Sequence, residues 1–389
     1  KGSGNFLNTL LDPPNQASLV SAITSLQKIG AVSQPDGDGN IKLTPLGMHL
    51  AGIPAPPAVG KILVMGSILG CRSAALAIAA GMSVGRSPWM RVDNFRNHKD
   101  KEETMEDMKR SNTLDARKEL FKTVGSSDHA MLASAFIQWD SCSGGASERK
   151  QFCDMYGLSF IGMREMKQLV QQLDSSLSSA GYYASEESDR NASSWRIIRS
   201  CVVAALAPSQ VVRVHRPSTK YAETHSGALE KDGEARELRF FIQAGDGNRE
   251  DNGQQCNIIR HYNNVAEERV FVHPSSFNFS TGNYSCPWLV YHELVRTSKP
   301  FLRDATECSA YALLLFGGRL EVQAQNGLIV IEGWARLAAN ARIGALIGGL
   351  RKKIDELLTK KVEDPLFDIG RTTEMKLIRS LLVTDGLGQ

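Results

Sequence analysis

The stretch Glu268-Arg269-Val270-Phe271-Val272-His273-Pro274-Ser275-Ser276 decides the fold class. Its first five residues are rich in β-branched and aromatic side chains and predict a strand. Pro274, which cannot donate to a sheet ladder, ends it. Working outward, residues 211–214, 256–262 and 288–295 are segments of the same kind, separated by Gly, Asn, Pro and Ser. Short strands with turn residues between them predict a small barrel.

Upstream of this region the apolar residues follow a helical period instead. Leu19, Val20, Ile23, Leu26 and Ile29 mark one helix, and Gly30 suits the position just past its end. Ala31-Val32 and Ile41-Lys42-Leu43 flank Asp36-Gly37-Asp38-Gly39-Asn40, a composition fit for a hairpin tip. With the short turn at 46–50, this unit reads as a winged helix. Pro54, Pro56 and Pro57 mark a linker and a helix start. Residues 61–69, 74–80 and 163–177 read as further helices. Ser126-Ser127-Asp128 offers N-cap chemistry to a helix through Leu132, Phe136 and Trp139. Beyond the barrel strands, Asp304 or Thr306 is the expected cap of a helix at 313–316, ended by Gly317-Gly318. Strands at 328–331 and 334–337 and helices at 343–358 and 375–382 follow.

A chain of 389 residues predicts two or three domains of about 150 residues each. Its 42% hydrophobic and 22% charged content excludes a wholly disordered or fibrous chain. Lys+Arg minus Asp+Glu is 45 − 42 = +3, so any basic partner surface must be local. Lys61 and Arg72 break the longest apolar region, 59–85, into pieces shorter than a membrane span of roughly 20 residues; no membrane contact is expected. The start carries neither Met nor a signal-peptide layout, so a fragment is expected. Seven cysteines, widely spaced and without a C-x-x-C pair, predict free thiols in a reducing compartment.

Familiar catalytic signals fail. Gly60-Lys61 is followed by Ile62, not the Ser or Thr of a phosphate loop, and His292-Glu293 lacks the second His of a zinc protease helix. Ser127-Asp128-His129 are contiguous, whereas a hydrolytic triad converges in space; helix capping is the expectation there. No catalytic or metal-binding residue is therefore assigned.

What remains is an ordered series: Phe6-Leu7 through Leu11-Asp12-Pro13-Pro14, Leu43-Thr44-Pro45-Leu46-Gly47, Pro54-x-Pro56-x-x-x-Gly60-Lys61 and Gly70-Cys71. It continues with Ser127-Asp128-His129, Trp139, Phe152-Cys153, His273-Pro274-Ser275-Ser276, Val290-Tyr291 and Arg303-Asp304-Ala305-Thr306, and closes with Leu313 through Gly318 and Gly333-Trp334. Together these motifs resemble the C-terminal region of the DEAH/RHA (DExH-box) ATP-dependent RNA helicases, over nearly the whole chain. The resemblance implies an α+β multidomain chain: a winged helix at 1–53, a helical ratchet bundle (HA2-like) at 54–200, an OB-fold barrel at 201–338 and a C-terminal helical extension at 339–389. It implies an accessory half that grips single-stranded RNA while RecA-like domains, not found in this sequence, bind ATP and Mg2+ and drive unwinding or ribonucleoprotein remodelling. The fragment alone is then expected to be inactive and to need no cofactor. Expected partners are single-stranded RNA and the protein's own RecA-like domains. The features at 315–322 and after Gly333-Trp334 are similar to the translation-initiation branch, which implies the small ribosomal subunit as a partner. A cytoplasmic location, with the nucleus as the alternative, goes with this. Three departures stand out: Arg72-Ser73 in place of Leu-Asp, Phe277 in place of Val, and an insertion at about 94–123 that is either a subgroup-specific contact or a variable loop, the loop favoured; the alternating charges at 98–110 read as a solvated helix or a mobile insertion.

For RNA contact, residues 190–222 carry Arg190, Arg196, Arg199, Arg213, Arg216 and Lys220 and no acid. Such a run suits phosphate neutralisation, or else a solvated helix face and loop. His273, Ser275 and Ser276 offer an imidazole, hydroxyls and N–H groups at a barrel edge, suited to phosphate or 2′-OH. Arg303 is either a phosphate clamp or an internal ion-pair partner of Asp304, the latter favoured. Trp334 is expected in the core, and Lys61 to snorkel or cap. The rivals are a protein–protein adaptor built from winged-helix and OB modules without RNA, and a DNA-binding regulator. The latter is disfavoured because 15–30 holds one base, Lys28.

Overall fold

The computed structural model describes residues 9–37, 39–91, 105–216, 221–224, 227–230, 238–244, 259–262 and 265–385. The first helix, α1 (Gln16–Ile29), is capped by the Asn15 side chain and ends at Gly30, whose φ of 85° places it in the left-handed region. The chain then doubles back. Val32 bridges Leu43, a single antiparallel bridge where a longer hairpin ladder was expected, and Asp38 at its tip lies outside the described residues. Thr44 joins this unit together: its Oγ1 donates to the Gly30 carbonyl at 2.6 Å and accepts from Gly47 N–H at 2.9 Å, capping α2 (Pro45–Ala51).

Seven described helices and their connections make the bundle: α3 (Pro57–Leu69), α4 (Arg72–Ser83), α5 (Met105–Val124), α6 (Asp128–Asp140), α7 (Gly145–Tyr156) and α8 (Phe160–Ser179) pack with α9 (Trp195–Leu206). α3 is apolar almost all round, with ten buried residues, so it sits in the middle rather than on a face. Lys61, buried on α3, donates to the Ile29 carbonyl at 2.8 Å and so caps α1 from the bundle side. Burial pushes its pKa down to about 8. Arg72 is also structural. It reaches the Asp174 carboxylate at 2.8 Å, the Tyr182 carbonyl at 2.7 Å and Ser178 Oγ at 3.1 Å.

The insertion differs from the expected loop. Residues 92–104 lie outside the described residues, but Met105–Val124 is a 20-residue helix. It buries Thr113, Arg117, Leu120 and Val124. Arg117 donates to the carbonyls of Tyr156, Gly157 and Met90 at 2.8–3.0 Å and lies 5.0 Å from the Trp89 ring centroid. The alternating charges suit its exposed face; the buried face carries no periodic signal, because its stripe is narrow and includes an arginine.

The barrel is a closed five-strand sheet in the order β4 (Arg239–Gln243), β1 (Val211–His215), β7 (Trp288–Arg296), β8 (Pro300–Glu307), β6 (Val265–Val272), returning to β4. β5 (Ile259–Tyr262) pairs with β6 outside this ring, and β2 (Tyr221–Thr224) with β3 (Gly227–Glu230) apart from it. All barrel pairings are antiparallel except β6 with β8, where Phe271 faces Phe301. The interior holds Val212, Val214, Ile242, Val270, Leu289, Tyr291 and Leu302. Trp288 and Trp334 meet outside it, edge to face at 5.2 Å, in the large core shared with the bundle. α10 (Ala310–Phe316) is capped by Ser309, not by Asp304 or Thr306, because β8 runs on to Glu307. A three-strand sheet, β9 (Leu320–Gln323), β10 (Leu328–Ile331) and β11 (Ala335–Ala338), leads into α11 (Ala341–Glu363) and α12 (Thr373–Thr384). α11 reaches back to the first unit, where His49 Nε2 lies 3.1 Å from the Leu358 carbonyl. The winged helix, ratchet bundle, OB barrel and tail helices thus form the expected α+β class of fold. Among the described residues no helix is long and apolar enough to cross a membrane.

Candidate nucleic-acid interface

Three sequence-distant motifs converge where the bundle meets the barrel. Asp128, the first residue of α6, is buried. Its Oδ2 accepts from Ser276 Oγ at 2.6 Å and from Ala305 N–H at 2.8 Å; its Oδ1 accepts from Phe277 N–H at 2.9 Å. Ser127 caps α6 through Ala130 N–H, as expected, and its hydroxyl also meets Thr306 Oγ1 at 2.7 Å. His129 Nδ1 lies 2.8 Å from the same Thr306 oxygen. Asn278 closes the set by donating to the Ala305 carbonyl at 2.9 Å. Burial, then the Asp304 carboxylate, push the Asp128 pKa up to about 6, against the hydrogen bonds it receives. Burial and the neighbouring His292 push His129 down to about 3, so it is neutral.

Ser276 is therefore withdrawn from the expected RNA contacts: its hydroxyl is spent on Asp128 and on Asn278 N–H. Phe277, the departure next to it, packs edge-on against Trp89 at 5.0 Å and lies 6.1 Å from Phe121 of α5. Two of the three departures from the family pattern, Phe277 and the insertion, are thus packed on each other.

The acid-free run at 190–222 is not a basic strip in space, because its partners come from elsewhere in the chain. Arg190 pairs with Glu187 at 2.7 Å, and Arg196 donates to the Val383 carbonyl at 2.9 Å. Arg199 reaches Glu307 at 3.4 Å. Arg213 is buried and grips Glu267 with two nitrogens, while Trp334 Nε1 donates to the same carboxylate at 2.9 Å. A guanidinium enclosed in that pair is not open to phosphate, which corrects the expectation for Arg213. Arg216 is exposed and bound to the Gly282 carbonyl and Asn283 Oδ1 at 2.8 and 3.1 Å. Lys220 lies outside the described residues.

Of the expected site residues, the structure brings together His273, Ser275 and Arg303. The His273 ring accepts Ser275 N–H at Nδ1, 3.1 Å, with Ser275 Oγ at 2.6 Å from the same nitrogen. That leaves Nε2 to carry the proton in the neutral ring. Partial burial, then Arg303 and Arg91, lower the His273 pKa, so the ring is a neutral donor at pH 7. Arg303 is 44% exposed. It pairs across the ladder with Glu293 at 3.4 Å, not with Asp304 as favoured from sequence. A surface pair of this kind is weak and opens readily to a competing anion. Exposed Arg91 lies near enough to the His273 ring to lower its pKa, and Phe279, 59% exposed, stands in the 3-10 turn Phe277–Ser280 that follows. Neither stood out in the sequence. An arginine before a charged insertion and one Phe among polar residues carry no periodic signal. The rim offers what a single strand needs: cations for phosphate, a neutral N–H donor, a hydroxyl and an aromatic face.

The structure is thus an OB barrel locked to a helical bundle, with an open polar–cationic rim. Family profiles agree by segment. Residues 198–320 match the oligonucleotide/oligosaccharide-binding (OB)-fold, 56–132 the ratchet-like helicase associated domain (HA2), and 327–384 the C-terminal domain in RNA helicases. The chain is 31% identical to the DExH-box ATP-dependent RNA helicase DExH1 of Arabidopsis thaliana, over 98% of this chain and 32% of the relative. It is 28% identical to the ATP-dependent DNA/RNA helicase DHX36 of Homo sapiens, over 94% of this chain and 31% of the relative. A DEAH-box ATP-dependent helicase of Mycosarcoma maydis is 31% identical over 98% of this chain and 24% of its own length. The chain thus spans about a quarter to a third of these relatives. It belongs to the DEAH/RHA (DExH-box) helicases, as part of their C-terminal region.

Proposed function

We propose that this chain is the accessory, strand-gripping part of an ATP-dependent RNA helicase, holding single-stranded RNA at the His273–Ser275–Arg303 rim with Arg91 and Phe279. The observation that carries it is the pairing of a neutral His273 donor with two neighbouring arginines on an exposed barrel edge, beside a seam fixed by Asp128. Rigid support matters, because a grip transmits force only if the barrel cannot rock on the bundle. ATP and Mg2+ are assigned to RecA-like domains of the parent protein. Gly60-Lys61 does not fit a nucleotide phosphate: both residues lie inside α3, and the Lys61 ammonium is spent on Ile29. The features similar to the branch acting on the small ribosomal subunit are used inside the fold, with Trp334 in the core and the Gly318 carbonyl held by Arg351. The ligand proposed is accordingly the strand itself.

The test is a salt titration of oligo-uridylate binding to the 389-residue chain, read by fluorescence anisotropy. Binding is expected to be weak and sequence-tolerant, with Arg303→Ala flattening the log–log salt slope by about 0.7 for one phosphate. His273→Ala is expected to weaken binding by roughly 0.5–1.5 kcal/mol without that flattening. Folded variants that bind like the parent would overturn the site. An absence of RNA binding by the parent would favour the adaptor function instead.

A further inference from the structure

The rim is one end of a longer row. Along β6 and the residue just past its end, Arg269, Phe271 and His273 alternate with buried Val270 and Val272; along β8 and the residue just before it, Lys299, Phe301 and Arg303 alternate with Pro300 and Leu302. Side chains two apart on a strand share a face. Because β6 and β8 run parallel with Phe271 opposite Phe301, the two alternating sets lie side by side on the outside of the barrel. The central aromatic holds the cations in place: the Arg269 guanidinium is 5.0 Å and the Lys299 ammonium 4.8 Å from the Phe271 ring centroid. Phe301 then links to His273 edge-on at 5.7 Å.

The acids nearby are already engaged. Glu267 is enclosed by Arg213 and Trp334, Glu268 is gripped by Arg296 at 2.5 and 2.8 Å, and Glu293 pairs with Arg303. Among the described residues no carboxylate pairs with Arg269 or Lys299. The row therefore presents two cations, pinned by an aromatic, in line with the rim.

We infer that the strand gripped at the rim continues along the outer face of the β6–β8 pair, where Arg269 and Lys299 hold its phosphates and Phe271 positions both cations. This rests on the rim's reading as a single-stranded RNA site. It adds a second contact, about four residues or 13 Å along each strand from the first phosphate position. The grip then lengthens with the RNA.

The experiment compares oligo-uridylates of about 2 nucleotides, too short to reach from the rim to the row, and about 15, within the span an OB barrel covers. The protein is the full 389-residue chain carrying Arg269→Ala with Lys299→Ala. For the long oligonucleotide the salt slope is expected to fall by about 1.4, two phosphates at about 0.7 each, while the short one binds as to the parent. Unchanged short-oligonucleotide affinity doubles as the fold control. The charge-keeping pair Arg269→Lys with Lys299→Arg should retain the parental slope. If the parent binds and Arg303→Ala responds, but the double variant matches the parent on the long oligonucleotide, the extension is wrong and the rim stands. Equal losses at both lengths would also overturn it, since the row would then be no separate contact. If the parent binds neither oligonucleotide, rim and extension fall together.

Discussion

The Ser276 hydroxyl donates to the Asp128 carboxylate at 2.6 Å across 148 residues of sequence, and this bond sits in the seam between the helical bundle and the barrel. Two backbone N–H groups of the barrel side, from Phe277 and Ala305, point at the same carboxylate. A buried carboxylate at a helix N-terminus, filled by three donors, fixes both the position and the orientation of the docked barrel.

A double-mutant cycle on Asp128→Ala and Ser276→Ala should therefore give a coupling energy near 1.5–3 kcal/mol, the range for a hydrogen bond to a charged group. Asp128→Ala alone should cost more than Ser276→Ala, because it strands three donors instead of one. Urea denaturation of the four proteins measures this; additive losses would contradict the coupling.

Arg213→Ala is expected to destabilise by about 3–5 kcal/mol, since it leaves the Glu267 carboxylate buried without its cation. It should leave the salt slope of RNA binding unchanged in protein that remains folded. Melting temperature and a salt titration read the two effects separately. A flattened slope with unchanged stability would restore Arg213 to the RNA path.

Gly47→Ala should loosen the first unit. A Cβ at this position falls on the Ala31 carbonyl oxygen and close to the Ala31 carbonyl carbon. Backbone cannot yield as a flexible side chain does, so a loss of roughly 1–3 kcal/mol is expected. Limited proteolysis should find new cuts in residues 16–51 while the bundle core around α3 stays intact.

Acidification tests the seam by sign. His129, pushed down to about 3, stays neutral in the fold while the unfolded chain takes up a proton near pH 6.5. Its contribution is thus present above pH 6.5 and lost as pH falls, about 2 kcal/mol by pH 5. Asp128, pushed up to about 6, binds its proton more readily when folded, so between pH 6 and 4 its contribution runs the other way. Thermal melts from pH 7.5 to 5 should show a flatter profile for His129→Gln and a steeper one for Asp128→Asn. The reverse ordering would refute the assignment of these protonation states.

Much of the fold was legible because it is written in local periods. The strand ended by Pro274, the N-cap at Ser127 and the paired Gly317-Gly318 each rest on neighbours in sequence. The site was legible only in part. His273, Ser275 and Arg303 share the exposed rim, whereas Ser276 and Arg213, chosen for the same chemistry, point inward. Periodicity places a residue on a face but does not say which faces another domain will cover.

By itself the sequence determined the order of elements, the alternation along β6 that sets one side of the strand against the other, and the family to which the motifs belong. These follow from short-range sterics and hydrophobic patterning, which act within a few residues. Only the tertiary structure decided which charges remain open to a ligand. Glu267 reaches Arg213 across 54 residues, Glu307 reaches Arg199 across 108, and Asp128 reaches Ser276 across 148. Electrostatics and desolvation depend on distance in space and on burial, and neither is encoded in the spacing of a basic run along the chain.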